Sequence, residues 1–188
     1  MARSRLGTSP MTDRRRFLRG AGAAALTLAP LGIAHARVAE RRSLSFVHTH
    51  TCERLEIAYF DHGSYRAAAL ERINYLLRDF RSGDVHPIAP SLLDILFDLQ
   101  HRTQHDGAFE VISGYRSPTT NAELRRNSHG VAEHSLHIEG RAIDVRLGRF
   151  PTRALHELAL GMGRGGVGFY PSSDFVHLDN GRIRFWQG

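Results

Sequence analysis

The chain has 188 residues, 41% of them hydrophobic, with 25 basic and 19 acidic side chains and a formal net charge of +6. Residues 1–36 hold six arginines and one aspartate, a net +5; subtracted from +6, this leaves about +1 for the remainder, so nucleic-acid binding has no electrostatic support. The length suits one domain, and a single cysteine, Cys52, excludes an internal disulfide and a cysteine-built zinc site.

The N-terminal segment does not read as domain material. Arg14, Arg15 and Arg16 precede Phe17, Leu18 and Arg19, then comes the small apolar run "GAGAAALTLAPLGIA", then "AHA" ending at Ala36. A basic stretch, a short apolar stretch and an A-x-A site make an export signal. The run falls short of the roughly 20 residues of a spanning helix, so no membrane anchor is expected after its removal. The order Asp13-Arg-Arg-Arg-Phe-Leu-Arg19 resembles a twin-arginine signal, which predicts a periplasmic protein whose domain covers residues 37–188.

Within that domain "SLSFVHTH" from Ser43 and "RLEIAYF" from Arg54 alternate as two strands of a hairpin. "YRAAALERINYLLRDF" has helical spacing at Ala69, Ile73, Leu76, Leu77 and Phe80, and "PSLLDILFDLQHRT" is a second amphipathic helix opened by Pro90 and Ser91. "AFEVISG" reads as a short buried strand, "SPTTNAELRRN" as a short helix, "RAIDVRL" as a strand and "TRALHELALGMG" as a helix. "GGVGFY", "DFVHLD" and "RIRFW" close the chain as three strands. Helices followed by clustered strands predict a single α+β domain with a central antiparallel sheet and helices packed to one side. Cys52 is expected to be a buried or half-buried thiol.

Period-2 alternation puts Asp144 and Arg146 on one face of "RAIDVRL", opposite Ile143, Val145 and Leu147. It likewise groups Phe175, His177 and Asp179 opposite Val176 and Leu178. A carboxylate in such a strand is costly unless something positive meets it. If the two strands are neighbours, Asp144 and His177 converge, and His137 joins them from a loop that Gly140 lets turn tightly. Two imidazoles and one carboxylate are the ligand set of a catalytic zinc with one open position. Asp174, three residues before His177, is the candidate general base, with a solvated turn residue as the competing role. Arg116, at a strand end, is the candidate oxyanion-stabilising cation, with a structural ion pair as its competitor. Ser135 is a candidate substrate-binding hydroxyl or a loop-stabilising one. His134 is left open and His129 is read as a solvated loop residue. His48 and His50 share a strand face with nothing to complete a metal set, while Tyr170, Phe175 and Trp186 read as core.

"SLHIEGRAIDV" resembles the S-x-H-x-x-G-x-A-x-D motif of the zinc D-Ala-D-Ala peptidases, the M15 group, with "SGYRSPTTN" and "DFVHLD" following its other signatures in order. The chain is similar, over nearly everything after residue 43, to the DUF882 family of periplasmic murein peptidases. That resemblance implies a hedgehog/D-Ala-D-Ala-peptidase-like fold and a Zn2+ cofactor held by His137, Asp144 and His177. It implies Asp174 as base, Arg116 as the polarising cation, and a monomer acting on peptidoglycan peptide stems. Cross-link cleavage is the implied reaction; a D,D-carboxypeptidase, a hydrolase of another substrate, or a catalytically silent peptidoglycan-binding module are the alternatives.

Overall fold

The computed structural model describes residues 41–127 and 132–188; the expected export signal and His129 lie outside the described residues. Twelve elements follow in chain order: β1 (Arg42–His48), β2 (Arg54–Asp61), β3 (Ser64–Tyr65), α1 (Ala67–Leu76), α2 (Pro90–Thr103), β4 (Phe109–Ser113), α3 (Pro118–Asn127), β5 (Ala142–Leu147), α4 (Thr152–Met162), β6 (Gly166–Tyr170), β7 (Phe175–Asp179) and β8 (Arg184–Gln187). No helix among the described residues is long and apolar enough to cross a membrane.

The eight strands form one sheet in the order β3-β2-β1-β4-β5-β7-β6-β8. The α+β class is as expected, but the sheet is mixed. β1–β4 and β6–β8 pair in parallel, the others antiparallel. Parallel neighbours need a long crossover, and α1 and α2 lie between β1 and β4. One sheet face carries Phe46, Phe109, Val111, Ile143, Val145, Leu147, Val176 and Leu178, packed in one cluster with Ile73 of α1, Leu92, Leu93, Leu96 and Leu99 of α2, and Leu155 of α4. At about 25 cal/mol per Å² of apolar surface removed from water, this layer is the main stabilising term. The alternate residues of the same strands face the other way, and Asp144 and His177 are among them.

The first helix ends sooner than its apolar spacing suggests, at Leu76. Asp79 explains why. Its carboxylate accepts from the backbone N–H of Arg81 at 3.0 Å and of Ser117 at 2.9 Å, turning 77–84 into a loop that grips the 113–117 segment. Burial works against ionising Asp79, but hydrogen bonds from Thr120, Ser117 and Arg81 outweigh it and hold its pKa at about 2. The Tyr115 N–H adds a bond to the Leu77 carbonyl at 2.7 Å. Arg116 is thereby mounted on a doubly anchored loop.

The β1–β2 turn leaves exposed the Cys52 thiol that was expected to be buried or half-buried. Cys52 has a left-handed φ of 61°, and the turn carries it outward. His48 is 0% exposed and packs edge-on to Phe80 at 5.5 Å, with His50 stacked on the same ring at 4.0 Å. Both histidines serve the packing of the hairpin.

Candidate metal centre and active-site cavity

β5 and β7 are direct neighbours, and their register places Asp144 opposite His177. On the other side, β4 sets Ser113 opposite Asp144. His137 comes from the turn before β5. That turn closes through Gly140, whose φ is +64° and whose missing Cβ would stand 2.1 Å from the Pro87 carbonyl oxygen. Neither the conformation nor the space admits a side chain. Gly140 also accepts the Ala89 N–H at 2.9 Å, tying the loop to the start of α2.

His137, Asp144 and His177 are all buried. His137 Nδ1 lies 2.7 Å from the Gly114 carbonyl, which can only accept, so Nδ1 carries the proton and Nε2 presents a lone pair. His177 Nε2 lies 3.0 Å from Asp179 Oδ2, so it donates there and, in the neutral ring, Nδ1 presents a lone pair. These two nitrogens are 3.2 Å apart, and Asp144 Oδ1 lies 3.2 Å from His137 Nε2 and 2.8 Å from His177 Nδ1. Three acceptors thus face one point. Ligand atoms ~2.0–2.1 Å from a tetrahedral zinc sit about 3.3 Å from one another, so this spacing suits that ion. One ligand atom from each residue falls within 4.8 Å of the others, the one such group among the described residues.

The electrostatics agree. Burial would raise the Asp144 pKa, but His137 and then His177 outweigh it and hold the carboxylate ionised. Burial, exceeding the pull of Asp144, lowers the His137 pKa. For His177 burial is outweighed by hydrogen bonds to Asp144 and Asp179, and its pKa rises. A cation placed between these groups takes over the role of that proton.

The centre opens into a cavity of about 710 Å³, lined among others by Arg116, His134, Ser135, Tyr170, Phe175 and Trp186. Arg116 reaches Asp144 Oδ2, Ser113 Oγ and Asn121 Oδ1 only at 3.4–3.5 Å, and its buried Nε has no partner. Burial lowers its pKa, with Asp144 opposing. Ser135 Oγ accepts the His137 N–H at 3.4 Å, so its hydroxyl both shapes the ligand loop and faces the cavity.

Asp174 is placed elsewhere. Its carboxylate accepts from Thr152 Oγ1 at 2.6 Å and from Arg146 at 3.5 Å, and its side chain is 62% exposed. Phe175 lines the cavity, so the preceding position starts on the other side of the alternation, and a left-handed φ of 52° turns it further. The structure therefore brings His137, Asp144, His177, Arg116 and Ser135 together and leaves Asp174 at the rim.

Spacing alone passed over two features. Tyr170, Phe175 and Trp186 were expected in the core, yet they are half-buried and form an aromatic wall. Tyr170 stacks on Phe175 at 4.5 Å and its hydroxyl accepts the Trp186 Nε1–H at 2.9 Å. Trp186 fits because Gly168 on β6 lacks a Cβ, which would meet the indole at 2.6 Å. The second feature is Asp179, whose alternation with His177 was the available signal.

The Peptidase_M15_2 family model, described as peptidoglycan L,D-endopeptidase MepK, matches residues 36–186. A probable peptidoglycan L,D-endopeptidase MepK of Haemophilus influenzae is 40% identical over 148 residues, 78% of this chain and 80% of that protein. The peptidoglycan L,D-endopeptidase MepK of Escherichia coli K12 is 39% identical over 145 residues, 77% of this chain and 80% of that protein. With the family model spanning the described domain and relatives of this identity covering most of both chains, this chain belongs to the Peptidase_M15_2 family.

Proposed function

We propose that this chain is an exported, zinc-dependent peptidoglycan L,D-endopeptidase, cutting a cross-link between an L-configured acyl residue and a D-configured amine. The observation that carries the metal is the meeting of three lone pairs, from His137 Nε2, His177 Nδ1 and Asp144 Oδ1, at mutual distances of 2.8–3.2 Å. The names of the relatives support the substrate and the bond type.

A zinc ion held there would supply Lewis acidity, polarising a carbonyl and making water nucleophilic near neutral pH. Asp144 offsets one of its two charges, which leaves the site net positive. Arg116, with an unpartnered Nε and long contacts, has hydrogen-bonding capacity to spare for the oxygen that gains negative charge. Tyr170, its hydroxyl oxygen engaged by Trp186, keeps its own proton free to donate. For proton transfer the geometry favours a cavity-lining group, His134 or Tyr170, over Asp174, whose exposed carboxylate bonds Thr152 and lies 3.5 Å from Arg146.

Purified protein digesting defined muropeptides, with and without chelator, tests the reading. Expected are cleavage of L,D cross-links, loss of activity on chelation and recovery with zinc. Binding to peptidoglycan without any cleavage at full zinc occupancy would favour a silent binding module. Export by the twin-arginine route is checked by Arg14→Lys with Arg15→Lys, after which mature protein still reaching the periplasm would refute it.

A further inference from the structure

Asp179 is 1% exposed and its carboxylate is saturated. Oδ1 accepts from the N–H of Gly166 at 3.0 Å and of Gly181 at 2.8 Å, and from Arg184 at 3.1 Å. Oδ2 accepts from Arg184 at 2.7 Å and from His177 Nε2 at 3.0 Å. Arg184 in turn lies 5.1 Å from the centre of the Trp186 ring, whose indole touches the His177 ring at 5.1 Å and bonds Tyr170. One buried anion therefore links the strand ends of β6, β7 and β8 to a ring that faces the candidate metal centre.

A carboxylate in this position does two things. Having no proton to give, it can only accept, so His177 must carry its proton on Nε2 and turn Nδ1 toward Asp144 and His137. Its four other hydrogen bonds, two from glycine N–H groups and two from Arg184, hold it so that it fixes the ring plane, and Arg184 offsets the charge it would otherwise bury uncompensated. Partners of this kind typically change metal affinity 10–100-fold.

We propose that Asp179 is a positioning residue for the metal centre, held by Arg184 and the two glycine N–H groups so that His177 presents Nδ1 to the ion. This rests on the reading of the site as a zinc centre. Asp179→Asn separates orientation from packing. The three donors around Oδ1 select the amide oxygen, which leaves the amide NH2 facing His177 Nε2. The NH2 then confronts the N–H of His177 and one N–H of Arg184; Arg184 keeps its bond to the other oxygen position, and the ring relieves its own conflict by moving its proton to Nδ1, the atom needed for the metal.

Two measurements test this: zinc affinity by chelator competition, and 15N NMR of the His177 ring. Expected for Asp179→Asn is zinc affinity about 10–100-fold weaker, with the metal-free neutral ring protonated on Nδ1. A variant that binds zinc as wild type, with unchanged His177 nitrogen shifts, overturns the positioning role even if its melting temperature falls. If the variant does not fold, the zinc-loaded wild type decides. A slowly exchanging His177 Nε2 proton supports the proposal, and a bare Nε2 overturns it. Wild type that binds no zinc overturns the proposed function together with this role, which distinguishes the two failures.

Discussion

Asp174→Asn gives the sharpest test of how the site moves protons. In the structure this carboxylate meets Thr152 Oγ1 at 2.6 Å and Arg146 at 3.5 Å, with 62% of its side chain in solvent. The amide retains an oxygen for Thr152 and loses only an exposed ion pair, worth about 0–1 kcal/mol. Turnover should therefore fall by less than about tenfold, under ~1.4 kcal/mol of barrier. A general base removed from the reaction would instead cost about 10²–10⁴-fold, roughly 2.7–5.5 kcal/mol. The assay is kcat on a defined cross-linked muropeptide, run beside zinc content. His134→Ala and Tyr170→Phe are measured in parallel, and one of them should show the larger loss with zinc retained. A drop of about a hundredfold or more in Asp174→Asn at full zinc occupancy would refute the reasoning. It would mean that the turn before β7 swings the carboxylate inward during the reaction.

The other predictions concern the ligands and the fold. His137→Ala and His177→Ala should each abolish muropeptide cleavage and lower zinc content, and full occupancy in both would remove them as ligands. Asp144→Asn should weaken zinc binding as well as turnover, unlike Asp174→Asn, because it deletes the one anionic ligand. Burial, with His50 adding to it, lowers the His48 pKa to about 4, so the folded state holds this ring neutral. The unfolded chain binds more protons below about pH 6.5, so the contribution of His48 is complete above that pH and is lost as pH falls toward 4. Thermal unfolding followed from pH 7 to 4 should show this decline, and His48→Leu should flatten it; an unchanged slope would count against the assignment.

How much of the site was legible depends on how local each relation is. His137, Asp144 and His177 could be found because strand alternation and residue chemistry are written within a few positions of each residue. Alternation in "RAIDVRL" and "DFVHLD" sorted core from polar face, and the left-handed turn at Gly140 needed only the glycine and its neighbours. The same alternation left Asp174 ambiguous, since a three-residue offset from His177 across a strand start does not say which way the preceding turn points.

The sequence by itself determined where the helices lie, the polar face of β5 and the candidate ligand types, because periodicity and side-chain chemistry act over a few residues. Only the tertiary structure decided which strands are neighbours. β5 pairs β7 although α4 and β6 intervene in the chain, and that pairing sets Asp144 against His177. β8 returns parallel to β6, and Gly168 opposite Trp186 lets the indole lie against the His177 ring. Gly166, Gly181 and Arg184 close on Asp179 for the same reason. Strand order and register follow from burying one shared apolar face across the whole sheet, a condition that no short window of residues contains.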